Sequence, residues 1–370
     1  MGSSESSDSE KEETEKINFD NYDSSFIYSA ILILYYLSDF RKYITEKDYS
    51  ENLENKNQEL GKLLKKIFVK DNDNINLEKY AKKIYLLITK KYQLEITASA
   101  GKILILLLEI LNYEENGGKI NIWENSILQN NQLFQNIFNQ EQAFNDFVRG
   151  NKENHDTKMS DFFRGILLKR KKVLNMNYIY IFSSYFVYEL DLPYISASLS
   201  MKDNKIKNII SLSECVLDMR TAKYDIFNGQ PCYTEHFMYD APPLLIFFLN
   251  RGSDINTFNG DITFKQKDDF SIFFNKKEKD QVIKYKLISL IKEKKINVKK
   301  KKNEDNTKDE QIVEDNNYGK TQDKFLFIYR EDKQYYYYDD IKRKSIKIEI
   351  EENDKDYYNH VLVYKKYNNN

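Results

Sequence analysis

Apolar residues fill almost every position from Phe26 to Leu37 (FIYSAILILYYL), so a helix here is apolar nearly all round. That pattern predicts a buried central helix, too short to cross a bilayer. Residues 60–68, 77–92 and 103–111 carry apolar positions at helical spacing or denser, which extends the expected helical region from Ile17 to about Phe147. From about Phe162 the apolar runs become short and rich in Tyr, Ile, Phe and Val: 178–182, 186–190, 244–249, 285–291, 325–329, 346–350 and 360–364. These read as strands. The run Tyr335–Tyr338 reads as one more, its tyrosines alternating inward and outward. Helices first and strands after predict an α+β fold.

Composition fits one large domain or two modest ones, since 370 residues with 41% hydrophobic and 14% aromatic content supply an ample core. Residues 1–16 are the exception: acidic and serine-rich, they have little to bury and are expected to be a disordered tail. A net charge of −1 gives no overall steering toward nucleic acid or membrane. The lysine-rich run Lys292–Lys302 is followed by an acidic stretch that cancels it, so residues 292–320 read as a charged insertion and not as a nucleic-acid contact. Only Cys215 and Cys232 are present, which favours a reducing compartment over a disulfide framework. With no signal-peptide pattern and no apolar run of spanning length, a cytoplasmic or nuclear location is expected.

Candidate chemistry begins at Asp23-Ser24-Ser25-Phe26-Ile27-Tyr28-Ser29-Ala30-Ile31, followed by Phe40-Arg41. A nucleophile on the first turn of a buried helix sits at the positive end of the macrodipole, where a thiolate is favoured. The segment resembles the nucleophile box of the ubiquitin-specific protease family, N-x-G-N-T-C-F/Y-I/M-N-S/A-A/V-L-Q with P-x-F-R beyond it, and Ser25 stands where the family has cysteine. Further resemblances follow in family order. Ile103–Leu111 is similar to the apolar half of the family's second box, whose Q-Q-D half is replaced by Thr97-Ala98-Ser99. Met159–Gly165, Phe186–Pro193, Leu212–Leu217, Pro243–Arg251 and Tyr285–Ile291 each resemble a later family segment. The resemblance implies a papain-like cysteine protease fold of the ubiquitin-specific protease type: a helical thumb over about 17–160, β fingers over about 161–240 and a β palm over about 241–370.

The same resemblance exposes the departures. Lys324 falls on the family's general-base histidine, Asp339 on its orienting carboxylate and Asp20 on the asparagine that donates to the oxyanion. A serine hydroxyl needs a strong base, a lysine beside a carboxylate stays protonated, and an aspartate repels a developing oxyanion. The expected outcome is a pseudo-deubiquitinase in which a Lys324–Asp339 ion pair replaces the catalytic pair. Such a domain would bind ubiquitin or a ubiquitin-like protein, or serve as a scaffold among the subunits of a complex. The alternative is an active, divergent deubiquitinase using Ser25 or another nucleophile. Structural roles are expected for His155, His236 and His360. Many family members hold zinc in the fingers, but Cys232 with Glu235 or His236 lacks a second ligand pair, so neither metal nor cofactor is expected.

Overall fold

The computed structural model describes residues 24–49, 58–70, 77–118, 139–150, 157–174, 178–203, 206–253, 256–271, 283–295, 325–331, 334–339, 344–348, 350, 354 and 356–367. The N-terminal part is helical: α1 (Ser25–Tyr36), α2 (Ser38–Glu46), α3 (Glu59–Phe68), α4 (Leu77–Leu86), which runs on into a π turn at Leu87–Lys91, and α5 (Ala100–Glu115). In α1 every residue but Tyr28 and Tyr36 is buried, as its all-round apolar pattern requires. The helix ends are tied together by side chains from their neighbours. No side chain of its own caps α3, so the N–H groups of Leu60 and Gly61 donate to the Glu114 carboxylate of α5 at 2.7 and 2.9 Å. At the other end of α3, the Arg41 guanidinium donates twice to the Phe68 carbonyl and lies 3.9 Å over the Tyr35 ring. The arginine of the Phe40-Arg41 pair is therefore a clamp between helices.

Two short helices, α6 (Gln140–Gly150) and α7 (Lys158–Phe163), lead into a four-stranded antiparallel sheet built from β1 (Gly165–Val173), β2 (Tyr178–Tyr185), β5 (Lys223–Phe227) and β6 (Gln230–Asp240) in the order β2-β1-β6-β5. The larger sheet contains β3 (Tyr188–Asp191), β7 (Leu244–Asn250), β12 (Lys284–Lys294), β13 (Phe325–Glu331), β14 (Gln334–Asp339), β15 (Lys344–Ile348) and β16 (Tyr357–Tyr367), ordered β15-β14-β13-β12-β16-β7-β3. Its middle is buried on both faces. Along β7, Ile246 and Phe248 join the core under α1 and α5, while Leu245, Phe247 and Leu249 join a second core on the opposite face. Two-sided burial explains why this strand is an unbroken apolar run (LLIFFL) and not an alternating one.

Several elements differ from the sequence expectation. Lysines and an arginine at 169–172 conceal β1, yet Lys171 is buried and reaches Asp225 at 3.1 Å. Leu192–Asp203 is a helix, α8, and Leu212–Arg220 is another, α9, opened by a reciprocal capping box between Ser211 and Glu214. Cys215, expected among the fingers, lies on α9 inside the core of the larger sheet, where burial pushes its thiol up to about 12. Strand β3, within the segment assigned to the fingers, pairs in parallel with β7 in the larger sheet. Lys292, Glu293 and Lys294, taken by their charge as the start of an insertion, are the end of β12, and Lys292 is 3% exposed and paired to Asp354 at 2.9 Å. Residues 1–16, and 296–320 of the insertion, lie outside the described residues.

A close approach fixes α5 on the larger sheet. A Cβ added to Gly101 would stand 2.1 Å from the Phe248 ring, so Gly101→Ala should destabilise the fold by about 1–3 kcal/mol in urea unfolding despite alanine's better helix propensity. Glu109, on the same helix, faces a small cavity lined also by Asn112, Arg164 and Tyr185, and burial pushes its carboxyl from 4.5 up to about 7. The folded state then holds a proton that the unfolded state has released, so stability should fall as pH rises from 4.5 to about 7. Melting temperatures across that window should show the fall for the wild type and a shallower one for Glu109→Gln.

Candidate functional site

The first residue of α1 is Ser25, with Ser24 preceding it at the cap position. Ser24 supplies no side-chain cap; its hydroxyl is hydrogen-bonded to that of Tyr28, while its carbonyl accepts from Ile27 and Tyr28 at 3.0 and 3.2 Å. Ser25 is 2% exposed. At the far end of the helix, Tyr36 stacks on Tyr329 with ring centroids 3.7 Å apart, so α1 carries the chain from Ser25 to the Tyr329 end of β13. Asp339 ends β14, paired with Lys344 of β15. Lys324, Asp20 and His155 lie outside the described residues, and with them the expected Lys324–Asp339 pair.

Around the start of β13 the structure assembles a group that the sequence did not connect. Phe325 opens β13 opposite Glu293 of β12, and its ring lies 5.2 Å from the imidazole of His360. In the β12–β16 pairing, Ile291 faces Val361 and Lys292 faces Asn359, so His360 is the extra residue of a bulge. A bulge re-aims a side chain, here toward Ser99 and Gly101 at the start of α5. The His360 ring is held between Phe248 and Phe325, each 5.2 Å away, and the residue is 5% exposed. Its Nε2 lies 3.2 Å from Ser99 Oγ and accepts from the Gly101 N–H at 3.4 Å. Its Nδ1 lies 3.1 Å from Glu293 Oε2.

Each member is placed by its own element. Ser99 caps α5, its Oγ accepting from the Lys102 N–H at 3.4 Å. Arg251, from the segment that resembles a family signature, is 8% exposed; it donates to the carbonyls of Phe258 and Gly260 at 3.0 and 2.7 Å and to that of Asn359 at 3.3 Å. It thereby pins the backbone next to His360, and its burial pushes the guanidinium down to about 10. No sequence signal joined these residues, because Ser99 and His360 are 261 positions apart and Glu293 sits inside a charged run. The remaining candidates are scattered. His236 on β6 is driven down to about 4 by burial and by Lys169, Lys223 and Lys171, and buried Cys232 on the same strand lies 3.8 Å from the Thr234 hydroxyl. Among the described residues no group of three or more His, Cys, Asp or Glu is arranged to hold a metal ion.

No family model and no curated protein sequence matches the chain. Solved structures do match it. A yeast SAGA deubiquitinase module aligns with a TM-score of 0.61 at 13% identity, covering 94% of this chain and 68% of that one. A Ubp8/Sgf11/Sus1/Sgf73 module aligns at 0.62 and 15%, covering 100% and 72%. The same four-protein module bound to monoubiquitin aligns at 0.59 and 13%, covering 94% and 68%. At such identities the likeness is one of architecture, and the chain has the α+β fold of the ubiquitin-specific protease in those modules.

Proposed function

We propose that this chain is a ubiquitin-specific-protease-like domain without deubiquitinating activity at the family's own site, acting as a binding module for ubiquitin or a ubiquitin-like protein within a larger complex. What supports the proposal is the shared fold, taken together with the sequence resemblance that sets other residues at the family's catalytic positions. The chain aligns along its length with the structures above, and by sequence resemblance Ser25, Lys324 and Asp20 fall at the family's nucleophile, base and oxyanion-donor positions. A buried serine at a helix start, offered lysine and aspartate as helpers, has neither a base to deprotonate it nor a donor to stabilise the oxyanion. Binding needs none of these groups.

The four-stranded sheet supports a protein partner. Tyr224 and Ile226 on β5 and Tyr233 on β6 are 65%, 61% and 53% exposed, and Tyr224 is paired with Tyr233 across the strands. Side chains two apart on a strand share a face, so these three form one apolar patch of the kind that marks an interaction surface. One of the similar structures holds monoubiquitin, which makes ubiquitin the first ligand to test. No helix among the described residues is long and apolar enough to cross a membrane.

Two measurements test the reading. A fluorogenic substrate joined to the ubiquitin C-terminus should be left intact; hydrolysis that Ser25→Ala abolishes would show the family's site to be alive. Labelled ubiquitin should bind saturably, and the double change Tyr224→Ser with Tyr233→Ser should weaken binding by roughly tenfold or more, as expected when aromatic anchors are removed. Absence of saturable binding at high micromolar concentration would leave the scaffold role in place of ubiquitin recognition.

A further inference from the structure

We propose that Ser99, His360 and Glu293 form a serine–histidine–carboxylate centre that transfers acyl groups from carboxylic esters. The centre stands apart from the family's nucleophile box, and the proposal rests neither on ubiquitin binding nor on Ser25.

Three observations carry it. The distances run in the order nucleophile, base and carboxylate: Ser99 Oγ to His360 Nε2 at 3.2 Å, and His360 Nδ1 to Glu293 Oε2 at 3.1 Å. The tautomer is also the required one. Because the Gly101 N–H donates to Nε2, that nitrogen presents its lone pair and the ring proton resides on Nδ1, which lies 3.1 Å from Glu293 Oε2 but is not aligned into a hydrogen bond in the resting structure, an alignment that substrate binding would have to complete. Nε2 is then an acceptor for the Ser99 hydroxyl proton, and Glu293 faces the nitrogen whose charge must be balanced once that proton arrives. Finally, the imidazole is a bulge residue clamped between two aromatic rings, whereas Ser99 is only half-buried. A base held rigid beside a hydroxyl is the arrangement that nucleophilic catalysis needs.

In the reaction, Ser99 Oγ bonds to the ester carbonyl carbon as its proton passes to His360 Nε2. The carbon–oxygen bond to the leaving group then breaks, and the departing alkoxide takes that proton as the alcohol. Water attacks the acyl-serine by the same route, releasing the carboxylic acid and restoring both residues. Negative charge on the tetrahedral oxygen develops at the N-terminus of the 16-residue helix α5, where the macrodipole favours it. Glu293 is a positioning residue, acting through the imidazole.

The test is active-site labelling of the full chain with a fluorophosphonate probe. An activated serine displaces fluoride from phosphorus, forming an Oγ–P bond while the imidazole takes up the serine proton. Mass spectrometry of the digest should place the label on the peptide containing Ser99. Glu293→Gln should slow labelling by roughly tenfold or more with the melting temperature retained, Glu293→Asp should restore part of the rate, and His360→Gln should abolish labelling. Label on Ser99 no faster than in urea-denatured protein overturns the proposal, and that control requires no variant to fold. A Glu293→Gln rate equal to wild type also overturns it, because a merely structural carboxylate would leave the labelling rate where it was.

Discussion

The larger sheet can exist only if both of its faces are covered, and that constraint organises the rest of the molecule. Its central strands, β7, β12 and β16, present apolar side chains alternately to two cores. Burying each Leu or Phe contributes about 1.5–3 kcal/mol, so neither face can be left to water. The N-terminal helices cover one face, with α5 brought close enough at Gly101 that Phe248 occupies the space of a side chain. Helices α8 and α9, with the segment that includes Phe258, Ile262 and Phe264, supply the other cover.

The candidate chemistry lies where this packing brings distant segments into register. Docking α5 on β7 and β16 places Ser99 and the Gly101 N–H against the bulge at His360, while antiparallel pairing of β12 with β13 sets Glu293 opposite Phe325. The ring of Phe325, from β13, thereby packs 5.2 Å from the imidazole of His360. The side chains around it are held by backbone: the two Nη groups of Arg251 donate to the carbonyls of Phe258, Gly260 and Asn359, so a buried cation is held by the segments it positions.

Several parts of the fold could be read from residue pattern alone. The buried α1, the helical first half and the apolar strands at 244–249, 285–291, 325–329 and 360–364 were all legible, because period and burial coincide there. Charge concealed the rest. The basic residues of β1 and the lysines ending β12 look solvated in sequence, but Lys171 and Lys292 are neutralised by Asp225 and Asp354, which are remote in the chain. Helix α9 was obscured for another reason: its capping box lies in a stretch that the family resemblance had assigned to the fingers.

By itself the sequence determined that the chain is α+β and that α1 is a buried, apolar helix. These are properties of single positions and local periodicity. Only the tertiary structure decided what surrounds His360. Nothing in its neighbours along the chain distinguishes a core histidine from a base; the difference lies in a bulge, a helix terminus and a carboxylate that meet only after the two faces of the sheet are closed.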